Sequence, residues 1–176
     1  MRIRLPARNF RWFASTLAPR DHRGAYRCRF VEKTFVSENT PFRPLPDTRN
    51  AGEKFWIAAA EGALLVPKCT ACSRTFWHPR PRCPHCGSTS VDWIKATGNG
   101  TVHTFTVVRQ SGDPYFKTKL PYAVAMIELD EGVRIMSNIV DTPLEVLRIG
   151  MRVEVLFEAA PGGIAIPLFR AQSRGA

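Results

Sequence analysis

The chain has 176 residues, 44% of them hydrophobic, and a formal net charge of +10. That length and apolar content suit one ordinary domain or two small ones around a real core, and exclude a wholly disordered chain. It holds no apolar run of eighteen residues and no continuous apolar N-terminal stretch, so the reading is a cytoplasmic protein without a membrane span or secretory signal.

The charge is unevenly spread. Residues 1–35 carry nine Lys/Arg against Asp21 and Glu32, a net of +7, which leaves +3 for the remainder. Residues 1–37 read as a disordered, basic leader with Cys28 as an unpartnered thiol. Polyanion binding and an organellar presequence are its functional alternatives. A start at Val36-Ser-Glu-Asn from a non-standard codon, which would leave the leader untranslated, is a further expectation.

A strap and a helix are expected over residues 38–63. Between Thr40 and Asn50 the prolines Pro41, Pro44 and Pro46 enforce extended backbone. Phe55, Trp56, Ala59, Ala60 and Ala63 then recur at helical spacing, which predicts a helix from Glu53 to Glu61 capped by Asp47 or Thr48 and ended by Gly62. Phe55 and Trp56 have two readings, packing on the neighbouring domain or a docking face for a partner.

Residues 64–95 form the most specific part of the sequence. Cys69-Thr-Ala-Cys72 and Cys83-Pro-His-Cys86 are two CxxC pairs that supply the four thiolates of a tetrahedral structural zinc site. Four thiolates close the site to water and substrate, so a structural rather than catalytic zinc is expected, with His78 and His85 as surplus ligands. Leu64-Leu65-Val66 is the predicted strand into the first knuckle, and Thr75-Phe76-Trp77 the predicted return. A redox-active CxxC is the alternative that a second pair at this spacing disfavours.

Residues 96–172 have the texture of antiparallel β-structure. Gly98-Asn-Gly100 predicts a turn, followed by strands over Thr101–Arg109, Tyr122–Leu129, Val133–Val140, Arg152–Phe157 and Ala165–Arg170, with Asp130-Glu-Gly132 as a tight turn. Thr142-Pro-Leu-Glu145 has the form of a capping box and predicts a helical turn between the third and fourth strands. Five strands with that insertion are the element order of an OB-fold barrel. The fold class expected is therefore mainly β: a helical segment, a rubredoxin-like zinc ribbon and a five-stranded OB barrel.

The order of these motifs, together with Pro79-Arg-Pro-Arg82, Leu120-Pro-Tyr122, Leu129-Asp-Glu-Gly132 and Pro167-Leu-Phe-Arg170, resembles the zinc-ribbon OB-fold proteins associated with acyl-CoA enzymes. The resemblance covers roughly residues 38–172, and the basic leader departs from it. Ser73 stands where many such relatives have glycine. The resemblance implies an accessory subunit that associates with thiolase-like proteins or MaoC-type hydratases. That subunit is non-catalytic alone, binds Zn2+ structurally, and helps hold acyl-CoA and the complex together. The longest predicted loop of the barrel, Gln110–Lys119, offers Arg109, Lys117 and Lys119 for the coenzyme's phosphates and Tyr115 for its adenine, with Phe116 beside them. The alternative from another class is a nucleic-acid-binding ribbon and barrel. The +3 outside the leader and the aliphatic character of the second and third strands argue against it. His103 is the one histidine outside the leader and the ribbon, and it reads as a strand residue rather than a general base.

Overall fold

The computed structural model describes residues 41–172. The leader, Cys28 and the alternative start at Val36 lie outside the described residues. Within them the order is a helix α1 (Glu53–Ala60), strands β1 (Leu65–Cys69), β2 (Val91–Lys95) and β3 (Asn99–Val108), a short helix α2 (Pro114–Lys117), and strands β4 (Tyr122–Leu129), β5 (Arg134–Ile139), β6 (Arg152–Ala160) and β7 (Ile164–Ala171). One 3-10 turn, Leu144–Val146, separates β5 from β6. Among the described residues no helix is long and apolar enough to cross a membrane.

Strands β3-β4-β5-β7-β6 close into a barrel, the strand order of an OB fold. β4 shows why the sequence specifies a barrel wall. Its residues alternate strictly, with Ala123, Ala125, Ile127 and Leu129 buried and their neighbours half-buried. Closure is narrow at two seams. β3 meets β6 over Asn99–Thr101 alone, and β5 meets β7 in parallel through Ile139 and Phe169. The Gly98-Asn-Gly100 stretch is not the expected turn: Asn99 and Gly100 begin β3, and Gly100 is pinched between β4 and β6. The expected Thr142 cap is also absent. Its hydroxyl donates to the Val140 carbonyl and accepts from the Ala171 amide, which ties the β5 end to β7 instead.

α1 packs against β7 and β1. It starts one turn after the expected caps: Asp47 accepts the Arg49 amide, while the Asn50 side chain accepts that of Gly52, the N-cap residue. Its end follows the prediction. Gly62 takes φ +75°, and the Gly62 and Ala63 amides reach back to Ala59 and Ala58, the paired bonds of a glycine-terminated helix.

One hydrophobic core joins these parts. Phe55 from α1, Leu64 and Val66 from the ribbon, and Val102, Ile127, Val153 and Phe169 from the barrel belong to a single buried cluster. A second, smaller cluster of Cys69, Phe76 and Cys83 lies at the far end of the ribbon. The ribbon is therefore anchored in the barrel core at its base and stands on its cysteines at its tip.

Candidate metal centre and flanking surfaces

The ribbon is a two-stranded antiparallel sheet in which β1 pairs with β2, Leu65 opposite Lys95 through Cys69 opposite Val91. The expected return strand at Thr75–Trp77 is corrected by this pairing. That segment makes only the isolated bridge of Thr75 to Lys68, because the chain must first pass the second knuckle before it can run back along β1. Thr75 instead holds the barrel, its hydroxyl donating to the Glu131 carbonyl at 2.8 Å. Glu131 accepts the Thr97 amide at 2.7 Å through one carboxylate oxygen. Sequence reasoning missed this tie between ribbon and barrel, since neither Thr75 nor Glu131 carries a motif.

The two knuckles bring four sulfurs together. All four Sγ atoms lie within 4.8 Å of one another, with Cys69 to Cys86 at 3.6 Å and Cys72 to Cys83 at 3.7 Å. A tetrahedron with metal–sulfur bonds of about 2.3 Å has edges of about 3.8 Å, so the donor set fits one tetrahedral ion. Backbone amides shape the cradle. The Cys69 amide donates to Arg74, the Cys83 amide to Ser88, and the His85 amide points at the Cys83 sulfur at 3.4 Å. Ser73 adopts φ +60° in the first knuckle, a left-handed conformation that explains a preference for glycine there.

The thiols are electrostatically unequal. Burial by itself raises Cys83, but hydrogen bonds from the His85 and Cys86 backbone and from the neighbouring thiols outweigh it and bring the group down to about 7. At Cys86 the Ser88 amide favours the thiolate. The crowd of Cys69, Cys72 and Cys83 around it, with burial, prevails and pushes it up to about 12. Four sulfurs this close cannot all ionise alone, so a cation that replaces their protons relieves the repulsion. His85 and His78 contribute no sulfur-like contact: both side chains are exposed, and His78 tilts against Trp77 at 5.4 Å.

The expected partner face divides. Phe55 is 5% exposed and stacks edge-on against Trp56 and Trp77, each at 5.0 Å, so it has no free surface to offer. Trp56 is half-buried, and the exposed large apolar residue of α1 is Ile57. A helix buried on one side places alternate members of a Phe-Trp-Ile run inside, at the edge and outside, which the sequence pattern could have told.

The coenzyme cluster also divides. Arg109 and Lys117 line one open hollow with Ser111 and Leu120, whereas Tyr115 and Lys119 line a different cavity at the barrel mouth. The cause is α2: Asp113 caps it through the Phe116 amide, and this turn of helix sends Lys117 and Tyr115 to opposite sides. Lys119 lies 5.6 Å from the Tyr115 ring centroid. Arg43 of the strap joins this second group unannounced. It donates to Asn138 at 3.0 Å, pairs with Glu158 at 3.7 Å and lies over the Phe116 ring at 5.4 Å. His103 is exposed on β3, with its Nδ1 3.8 Å from Glu128, a carboxylate already held by Arg134 at 2.8 Å.

Residues 56–92 match the family described as ChsH2, rubredoxin-like zinc ribbon domain, and residues 93–158 match ChsH2, C-terminal OB-fold domain. A DUF35 domain-containing scaffold protein of Methanocaldococcus jannaschii is 39% identical over 95 residues, covering 53% of this chain and 67% of that protein. The chain belongs to the ChsH2-type DUF35 family. Among solved structures, the Ltp2-ChsH2(DUF35) aldolase is similar at 34% identity and a TM-score of 0.65, over 73% of this chain and 98% of that one. A protein of Thermomonospora curvata named probable enoyl-CoA hydratase alpha subunit is 36% identical over 142 residues, covering 79% of this chain. This DUF35 chain spans only 44% of that protein's length.

Proposed function

We propose that this DUF35 chain is a non-catalytic, zinc-binding accessory subunit of an acyl-CoA-processing enzyme of the thiolase-like or MaoC-type hydratase class, and that it helps hold acyl-CoA and the complex together. One observation carries the reading: the likeness extends over 98% of the matching chain in an assembly whose name joins ChsH2 to Ltp2 and calls the whole an aldolase. The relative named as a probable enoyl-CoA hydratase alpha subunit supports the same class of partner, and those named scaffold proteins support the non-catalytic role.

In this reading the chain divides into a leader (1–37), a strap and helix (38–63), a ribbon (64–95) and a barrel (96–172), each with one task. Cys69, Cys72, Cys83 and Cys86 hold a structural Zn2+, whose chemistry is confined to replacing four protons by one divalent charge. The shared core then keeps the ribbon, α1 and barrel at fixed angles, as a scaffold requires. Trp56 and Ile57 belong to the face that meets the enzyme. Arg109 and Lys117 supply the cations that a coenzyme's phosphates would meet in their shared hollow.

The nucleic-acid alternative loses support from the barrel's own charges. Arg134, Arg152 and Arg170 are each paired with a carboxylate, Glu128, Asp130 and Glu154, at 2.7–2.8 Å. A groove that tracks phosphates needs such arginines unpaired. The test of the accessory reading is co-expression with each acyl-CoA enzyme encoded beside the gene, followed by size-exclusion chromatography. Elution of this chain with a thiolase-like or hydratase partner is the expected result, and separate elution from every one of them overturns it.

A further inference from the structure

The barrel mouth beneath the strap holds a half-open cavity of about 240 Å3. Its origin is in the sequence of β4 and in the weak seam between β5 and β7. β4 places the small Ala123 on the inner face at this end, and the two other strands share a single ladder pair, Ile139 with Phe169, so the mouth is left open. Ala123, Ile139 and Leu168 are buried behind the mouth, and the apolar surface it presents comes from the half-buried Phe116, Tyr122, Val140 and Leu144.

The rim is polar and mostly committed. Glu158 pairs with Arg43 at 3.7 Å and accepts the Tyr115 hydroxyl at 3.3 Å. Asn138 accepts from Arg43 and donates to the Ala123 carbonyl at 3.2 Å. Asn138 Oδ1 and Glu158 Oε1 are thus engaged. The cation left over is Lys119, which forms no ion pair among the described residues and lies against the Tyr115 ring. Two cations and one carboxylate give the rim a single net positive charge, which suits a monoanion and disfavours a polyphosphate. A dry cavity of about 150 Å3 accepts benzene, so this one has room for a bicyclic ring or a short chain.

We propose that the barrel mouth is a binding site for a small organic monoanion. Its flat or short apolar body lies against Phe116, Tyr122, Val140 and Leu144, in front of the buried Ala123, Ile139 and Leu168, and its charged end meets Lys119, with Arg43 as the second donor. Arg43 also ties strap to barrel, so the ligand stabilises the strap's seat on the mouth. The site is separate from the Arg109 and Lys117 hollow and does not depend on the accessory-subunit reading.

The probe is 2-naphthoate, with neutral 2-naphthamide as its shape-matched control, titrated into the metal-loaded full chain and followed by NMR at Ala123, Ile139 and Leu168 and by calorimetry. Saturable shifts at those residues are expected, with the amide bound about tenfold more weakly, the scale of one charge-assisted hydrogen bond. Lys119→Gln should weaken naphthoate by a similar factor and leave the amide unchanged. Leu144→Trp, at the half-buried rim, should block both; if that variant melts early, Arg43→Gln should weaken naphthoate and leave the amide unchanged. Equal affinity for acid and amide overturns the proposal, as does an unaffected Lys119→Gln. Shifts centred on the Arg109 hollow, or none at the mouth at millimolar probe, also overturn it.

Discussion

Chelation of the metal should unfold one end of this protein and spare the other. The tip cluster buries only Cys69, Phe76 and Cys83, with Cys72 and Val91 half-buried against them. At about 2 kcal/mol per buried side chain, that contributes on the order of 6 kcal/mol. Ordering the roughly twenty residues between the first cysteine and β2 costs about 20 kcal/mol at about 1 kcal/mol each. The shortfall of about 14 kcal/mol falls within the 10–16 kcal/mol typical of structural zinc. The base of the ribbon has another source of stability, since Leu64, Val66 and Ala96 sit in the barrel core. Hydrogen exchange with and without a strong chelator distinguishes the two ends. The amides of Cys69, Thr70, Cys83 and Gly87, which bond to Arg74, Ser90, Ser88 and Cys83, should lose protection in the metal-free chain. Those of Val102, Val155 and Val140 should keep it. Protected knuckle amides in chelator, or a barrel that unfolds with them, would refute this partition.

Three further outcomes follow from single residues. Gly100→Ala puts a Cβ 2.7 Å from the Glu128 carbonyl and 2.8 Å from Ile127, both in a packed strand, so it should cost about 1–3 kcal/mol and lower Tm by about 3–12 °C. A melt within two degrees of wild type counts against the register given for β3. Ser73→Gly relieves the left-handed strain at φ +60° and should raise the resistance of the metal-loaded knuckle to chelator, by up to about 1 kcal/mol after the entropy cost of glycine. Faster metal loss in that variant would contradict it. Arg152 donates two hydrogen bonds to Asp130, which hold its carboxyl below the usual range. This contribution is complete above the unfolded carboxylate value of about 3.9 and fades as pH falls through the lower folded one. Asp130→Asn should therefore melt below wild type at neutral pH, with the gap narrowing as pH falls below about 3.9, and a gap of constant size from neutral pH into acid would refute the assignment.

The sequence was most legible where chemistry or periodicity constrains it. CxxC spacing located all four sulfurs, Gly62 ended α1, and β4 was bounded correctly because its alternation is unbroken. It was least legible where long-range packing decides. β2 carries no strong pattern of its own and is a strand because β1 needs a partner, so the nearer Thr75–Trp77 looked like the return. The Gly98–Gly100 stretch looked like a turn because glycine also serves close strand approach, and only the positions of Val155 and Glu128 separate the two uses. The split of Tyr115 from Lys117 depends on a single helical turn inside a loop, and Arg43 acquires its role from Asn138, 95 residues away.

Turnover measures directly what this chain does for an enzyme. Each co-purifying acyl-CoA enzyme should be assayed alone, with the metal-loaded chain, and with an Ile57→Asp variant that places a charge on the exposed face of α1. The accessory-subunit account predicts an enzyme that is slower or less stable alone, restored by the wild-type chain and restored less by the variant, with no turnover by this chain itself. Full activity of the enzyme without it, or catalysis by the isolated chain, would contradict the account.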